Sequence, residues 1–290
     1  MMSGVIYQLS NIRMAEILVT SLWSLRQHYH GPVTVMVTRD CERLMQRIAA
    51  DSRLAITTQR LKPFPEHGRH DHRQTKTLSW LATPYDRTVF LDADTAVQEP
   101  IDDLFNVDGF GVVVLGVGRL GDGHPHAVRL WRELCNYQRL GPGCRRLVAD
   151  AQRFNPQIVN TGVVSYPRNH PAIWEVHDLI VMARLSNRRV SDESVMHLVM
   201  PHTRNLWCLP PTYNATIGQF QETWRNQVIV HFSAQAWWRQ RAGRECFRYH
   251  LARALKENAG GIRRWIGRGD DRVRRLSRVR RLSRQPRTTS

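Results

Sequence analysis

The sequence predicts an α/β fold, with a mostly parallel or mixed sheet flanked by helices. Three observations predict it. Short runs of β-branched and apolar residues alternate with stretches whose apolar residues recur at helical spacing. Gly, Pro and Asn punctuate the boundaries between them. The 290-residue length and 42% apolar content suffice for one substantial core. Strand and helix alternating at this pace implies βαβ units, and such sheets bind ligands beyond the carboxyl ends of their strands.

The elements follow in order. Val5-Ile6-Tyr7-Gln8-Leu9 reads as a strand, and Asn11 to His28 as a helix carrying Ile12, Ile17, Leu18, Leu22 and Leu25 at helical spacing, stopped by Gly31-Pro32. Val33 to Val37 is a second strand, Cys41 to Ala50 a second helix and Leu54 to Thr57 a weaker strand. His72 to Leu81 is helical and ends before Pro84, giving way to the strand Thr88-Val89-Phe90-Leu91. Strands are expected at Val112 to Leu115, Ile158 to Tyr166 and Val228 to Phe232, with helices at Ala127 to Gln138, Ile173 to Leu185 and Glu193 to Met200. Residues 1–257 therefore form one domain. Beyond Asn258 the chain turns to Arg, Gly and Ser, a basic tail over residues 258–290.

Composition narrows the function. No apolar run reaches the roughly 18 to 20 residues that span a bilayer, and no basic and apolar leader opens the chain. Five scattered cysteines without a C-x-x-C pair argue against a disulfide framework or a cysteine zinc site, so a reduced, cytoplasmic setting is expected. The net charge is +17, and residues 261–290 hold eleven Arg against Asp270 and Asp271, about nine of those charges. The remainder is still basic, which suits an anionic ligand. The tail reads as a disordered segment with weak attraction to an anionic membrane, leaving a peripheral location at the inner membrane face open; non-specific nucleic-acid binding is the other reading, and no specific nucleic acid is expected.

Chemistry concentrates at Leu91-Asp92-Ala93-Asp94. Aspartates at i and i+2 on extended backbone project to one side, and two carboxylates held together repel until a divalent cation relieves them. Oxygen ligands suit Mg²⁺ or Mn²⁺, which leaves positions open for phosphates. A solvated acidic turn is the plainer alternative, and D-x-D alone does not decide.

The context does more. Thr75-Lys76-Thr77-Leu78-Ser79-Trp80-Leu81, Tyr85 to Thr95, and Ile101-Asp102-Asp103-Leu104-Phe105 together resemble the glycogenin-like enzymes of glycosyltransferase family 8, which have the Rossmann-like GT-A fold. The resemblance implies a metal-dependent hexosyltransferase acting on a nucleoside-diphosphate sugar, a UDP-sugar, with retention of anomeric configuration and a glycan, lipid or protein hydroxyl as acceptor. It implies Asp92, Asp94 and His231 (in Val230-His231-Phe232) as metal ligands. It further implies Lys76 and the Asp92-Ala93-Asp94 segment in donor binding, and Asn11, near the exit of the first strand, would contact the nucleotide as well. Asn160 (in Asn160-Thr161-Gly162-Val163), Asp192 and Glu193 would place the sugar and acceptor. Asp102 and Asp103 read instead as a helix N-terminus, and Asp192 could simply cap the helix that Glu193 begins. The chain departs from the family after the histidine, where Ser233 to Arg239 replaces a Gly and a Lys-Pro-Trp; Arg239 or Arg241 could substitute.

Other signals compete. Gly116-Val117-Gly118-Arg119-Leu120-Gly121 matches G-x-G-x-x-G, yet Gly123 and Pro125 follow at once, so a mobile loop is expected rather than a dinucleotide site. His67, His70 and His72 read as a basic loop before a zinc site, and Trp237-Trp238 as packing before a sugar platform. A sugar nucleotidyltransferase would carry a glycine-rich loop after the first strand, where this chain has Ser10-Asn11-Ile12-Arg13. A non-catalytic basic protein binding nucleic acid or a membrane surface is the rival from another class.

Overall fold

The computed structural model describes residues 1–62, 72–188, 190–216, 224–232 and 241–257. The chain opens with β1 (Ser3–Leu9), α1 (Ala15–Arg26), β2 (Val33–Val37), α2 (Arg39–Ala49), β3 (Ile56–Arg60), α3 (His72–Leu81) and β4 (Arg87–Leu91). A short β5 (Thr95–Val97) precedes β6 (Phe110–Arg119), α4 (Pro125–Tyr137), α5 (Pro142–Phe154) and β7 (Gln157–Pro167). Then come α6 (Pro171–Leu185), α7 (Asp192–Val199), β8 (Leu206–Leu209), β9 (Ala215–Thr216), β10 (Ile229–His231) and α8 (Arg241–Glu257).

Seven strands form one mixed sheet in the order β3-β2-β1-β4-β7-β6-β8. β1 runs parallel to β2 and β4, while β7 is antiparallel to both β4 and β6. Alternation along each strand feeds two cores. Ile6, Met36 and Phe90 enter one layer with Trp80 and Tyr166; Val5, Tyr7, Val35, Val89 and Leu91 enter the other with Leu18 and Leu22 of α1. A sheet covered on both faces explains why these strands read as nearly unbroken apolar runs. β5, β10 and β9 make a second, three-stranded sheet.

Several expectations are corrected. Asn11 does not begin an α-helix: its side chain caps a 3-10 turn at Ile12–Met14, and α1 follows. β6 extends through Gly116 and Gly118 to Arg119, so most of the supposed mobile loop is strand, with both glycines at positive φ that a side chain would strain. The helix after it opens at Pro125, four residues past Gly121, and no dinucleotide turn forms. The segment Pro142–Phe154, unassigned from sequence, is the helix α5, closed by Asn155 in the left-handed region. β5, β8, β9 and α8 were not expected either.

All five cysteines are free. Among the described residues no helix is long and apolar enough to cross a membrane. The tail over residues 258–290, His67, His70, Trp237-Trp238 and Arg239 lie outside the described residues, and of His72 and Arg241 only the backbone is described.

Candidate active site

The site grows from the joint between the two sheets. β4 ends at Leu91, and Asp92-Ala93-Asp94 turns the chain into β5. The expected extended geometry is therefore corrected: the aspartates converge because a turn folds them together, not because they alternate along a strand. The turn is held by Asp92 N–H donating to Gly162 O (2.8 Å) and by the Thr95 hydroxyl donating to Asp92 O (2.9 Å). Ala93 is buried in the core between them. β10 pairs antiparallel with β5, His231 opposite Thr95, and Phe232 N–H donates to Asp94 O at 2.7 Å. That register brings a residue 137 positions later in sequence against the turn.

His231 Nε2 lies 3.3 Å from Asp94 Oδ1 and 3.9 Å from Asp92 Oδ2. One ligand atom from each of Asp92, Asp94 and His231 falls within 4.8 Å of the others. Two carboxylate oxygens with one imidazole nitrogen suit a divalent transition cation such as Mn²⁺ better than Mg²⁺, which takes oxygen ligands. Burial pushes the Asp92 carboxyl up, an effect Lys76 only partly offsets and Asp94 reinforces. Asp94 is held low despite burial, because His231 sits against it; burial alone would lower His231, but Asp94 raises it. Gly162 makes room for this ring. A Cβ there would lie 2.7 Å from His231 Nδ1 and 2.9 Å from Asn160 Oδ1.

Lys76, buried on α3, links this cluster to a second one. Its Nζ sits 2.9 Å from Asp92 Oδ2 and 2.8 Å from Asp192 Oδ2, over the ring of Phe90 at 5.2 Å. Burial works against the charged ammonium, yet the Asp192 and Asp92 carboxylates outweigh it and raise its pKa. Asp192 is driven low despite burial by Lys76 and by the Thr161 hydroxyl, which donates to it at 2.5 Å. Capping is not its task. Ser191 caps α7, forming a capping box with Ser194, and Asp192 is free to point its carboxylate into the site.

Glu193, next in line, accepts from Asn160 Nδ2 (2.7 Å) and from Arg129 Nη2 (2.6 Å). Burial and the neighbouring Asp192 raise its pKa, Arg129 offsetting part of the rise. Asn160 and Thr161 reach the site through an irregularity in β7. Val112 of β6 pairs with Val164, but Val113 pairs with Asn160, one step on β6 against four on β7. Such bulges re-aim side chains.

Of the sequence-derived residues, Lys76, Asp92, Asp94, Asn160, Asp192, Glu193 and His231 are joined by these contacts. Asn11 stands apart: it is exposed beyond the exit of β1, and its Oδ1 accepts from Arg13 N–H. Asp102 and Asp103 open a 3-10 turn, as their reading as a helix start anticipated. Sequence reasoning missed Asn214, whose Nδ2 donates to Asn160 Oδ1 at 2.6 Å. It also missed Arg129, an apparently ordinary charge on an amphipathic helix, and Glu133, which accepts from the Ser191 and Ser194 hydroxyls. Only tertiary pairing reveals these three.

No family model matches the chain, and no curated protein matches it in sequence. Its structure does match solved ones. An active-site mutant of LgtC is 14% identical, with a TM-score of 0.55 over 86% of this chain and 95% of that one. The galactosyltransferase LgtC in complex with donor and acceptor sugar analogues is 12% identical, with the same TM-score and coverage. The glycosyltransferase GlyE of Streptococcus pneumoniae TIGR4 is 17% identical at a TM-score of 0.56, over 88% of this chain and 63% of that one. The chain spans half of the bifunctional WbbM, to which it is 13% identical. At these identities the likeness establishes the fold, that of the GT-A glycosyltransferases.

Proposed function

We propose that this chain is a metal-dependent glycosyltransferase that moves a hexose from a nucleoside-diphosphate sugar, a UDP-sugar, to an acceptor hydroxyl, with retention. The observation that carries the reading is the continuous polar row on a GT-A fold. It runs from His231, Asp94 and Asp92 through Lys76 to Asp192, Glu193 and Asn160.

Asp92, Asp94 and His231 would hold Mn²⁺ (or Mg²⁺), which when bound supplies Lewis-acid neutralisation of a diphosphate leaving group. Asn11 and the backbone of Asp92-Ala93-Asp94 border the nucleotide. Lys76, charged at every working pH, offers its ammonium to the anionic donor. Asp192 and Glu193 accept from sugar and acceptor hydroxyls, and Asn160 donates across the same space; the Asn160–Glu193 hydrogen bond and those from Thr161 and Lys76 to Asp192 keep them oriented before substrate arrives, which lowers the ordering cost on binding. The acceptor is a hydroxyl of a glycan, lipid or protein. Action in the cytoplasm or at the inner membrane face is part of the proposal, with the basic tail as its membrane contact.

The test is donor hydrolysis and transfer with and without Mn²⁺, beside thermal unfolding with a panel of nucleotide sugars. Wild type is expected to show Mn²⁺-dependent turnover and a donor-dependent rise in Tm, and Asp94→Ala to lose both. Equal, metal-independent turnover in the two proteins would overturn the reading.

A further inference from the structure

The amphipathic helix α4 buries Ala127, Leu130, Leu134 and Tyr137 in the core. Its flank, with His126, Arg129 and Glu133, meets the start of α7. Residues three and four apart share a helix face, so these three act on one place. Glu133 Oε2 accepts from Ser191 N–H (2.8 Å) and from the hydroxyls of Ser191 (2.6 Å) and Ser194 (2.9 Å), which fixes the capping box that opens α7. The other oxygen, Oε1, accepts from Arg129 Nη1 at 3.2 Å. Arg129 Nη2 in turn donates to Glu193 Oε2 at 2.6 Å. One guanidinium thereby ties the cap of α7 to the carboxylate two residues beyond it.

Glu193 needs that tie. Burial and the neighbouring Asp192 both favour its protonated form and raise its pKa. A protonated carboxyl would turn one of its oxygens from acceptor into donor. Other basic groups nearby do not supply the missing charge. Lys76 is engaged by Asp92 and Asp192. His126 Nε2 is 3.7 Å from Glu193 Oε2 but 3.2 Å from Arg129 Nη2, which can only donate, so this nitrogen is the acceptor and the ring is neutral. Burial first, and Arg129 next, lower the His126 pKa to about 4. His197 gives its Nδ1–H to the Glu193 carbonyl and is likewise lowered to about 4 by burial. Among the described residues Arg129 is the one permanent cation bonded to this carboxylate.

The same bond aims the group. Glu193 Oε1 accepts from Asn160 Nδ2 at 2.7 Å and Oε2 from Arg129, so the carboxylate is held at both oxygens, by β7 and by α4. A carboxylate has about four acceptor positions, and two of these remain for incoming hydroxyls. The Arg129 side chain is 45% exposed and that of Glu193 only 16%, so a charge at the surface governs a group inside the site.

We infer that Arg129 is a positioning residue for sugar transfer, holding Glu193 as an oriented carboxylate whose remaining lone pairs receive sugar hydroxyls. The inference rests on the transferase reading above and adds to it a residue outside the polar row.

Hydrolysis of UDP-glucose and UDP-galactose with Mn²⁺, in which water takes the acceptor's place, tests it in wild type, Arg129→Gln and Arg129→Lys from about pH 5 to 9. Arg129→Gln is expected to lower kcat about tenfold on the acid side of the profile and to recover it at higher pH. Its acid limb should move up by about one pH unit, the low end for losing an adjacent opposite charge, as suits a half-exposed guanidinium. Arg129→Lys keeps the charge but not the fork, so it should keep the wild-type limb with kcat down about threefold. Donor KM should stay near wild type in both. An Arg129 that only braced the fold would lower kcat by one factor at every pH; that result, or an unchanged Arg129→Gln, overturns the inference. Thermal unfolding checks that both variants fold, as the exposure of Arg129 leads one to expect. A second readout needs no turnover: ¹³C NMR titration of the Glu193 carboxyl, identified by the signal missing in Glu193→Gln. That titration should move to higher pH in Arg129→Gln, and an unmoved one also overturns the inference. An inactive wild type would count against the transferase reading instead, while the carboxyl titration still decides whether Arg129 governs Glu193.

Discussion

At the scale of single residues, Lys76 is the hinge of the site's electrostatics. It is buried between Asp92 and Asp192, and removing one partner of a buried ionic group strands the others. Lys76→Met is expected to lower unfolding free energy by about 3 kcal/mol in urea melts without metal, and added Mn²⁺ to restore part of it by replacing the lost positive charge. An unchanged stability would contradict the pairing. Asn214 works differently, because it touches Asn160 rather than the row's charged groups. Asn160 Oδ1 accepts from both Asn214 Nδ2 and Gly162 N–H, which fixes its amide so that Nδ2 faces Glu193. Asn214→Ala should reduce kcat about tenfold while leaving donor KM and the donor-induced Tm shift near wild type. A rise in KM with kcat intact would place Asn214 in donor binding instead. The carboxylates were legible because Asp92 and Asp94 stand in a dense local pattern. Asn214 was not, since its only qualification is a contact with a residue 54 positions away.

At the scale of elements, α7 does two jobs. Its first turn delivers Asp192 and Glu193, and its next turn anchors it to β7 through His197. The Nδ1–H of His197 must donate to Glu193 O (2.6 Å), so Nε2 is the acceptor for Val159 N–H (3.3 Å). Protonation would set two donors face to face. Burial accordingly lowers this pKa from the ordinary value near 6.5 to about 4. A histidine whose folded pKa is depressed stabilises the fold fully above its unfolded pKa and progressively less as pH falls toward the folded one. Between pH 6.5 and 4 the loss should approach about 3 kcal/mol. His126 and His250 are likewise lowered to about 4 and act in the same window. Urea unfolding at pH 6.5 and 4.5 should therefore show a smaller loss for His197→Gln than for wild type; parallel slopes would refute the assignment. Regular elements such as α3 and β4 were readable from periodicity. The turn at Asp92 and the bulge at Asn160 were not, since each depends on hydrogen bonds from another strand or loop, and the 3-10 start at Ile12 was not, since it is a local cap by Asn11 that leaves the apolar spacing unchanged. β5, β8 and β9, four residues or fewer, are too short to carry a period.

At the scale of the whole molecule, the α/β class and its mostly parallel or mixed sheet were legible, because a sheet covered on two faces writes itself as apolar runs; the strand order and the division into two cores were not. The small sheet was not, although it supplies His231; its strands pair β5 with β10 across more than 130 residues. That pairing has a kinetic consequence. The Asp92–Asp94 turn is where the chain leaves the large sheet, and His231 is the end of a strand belonging to the small one. A cation held by Asp92, Asp94 and His231 would tie β10 to the turn that leaves the large sheet, so opening of β10 away from β5 would have to break that tie first. Amide hydrogen exchange should consequently slow at Val230 and Phe232 when Mn²⁺ is added, with little change in the interior of β1 or β2, and Asp94→Ala should erase the difference. With a cation bound, the small sheet would work as a clasp, fastened to the Asp92–Asp94 turn for as long as the ion stays.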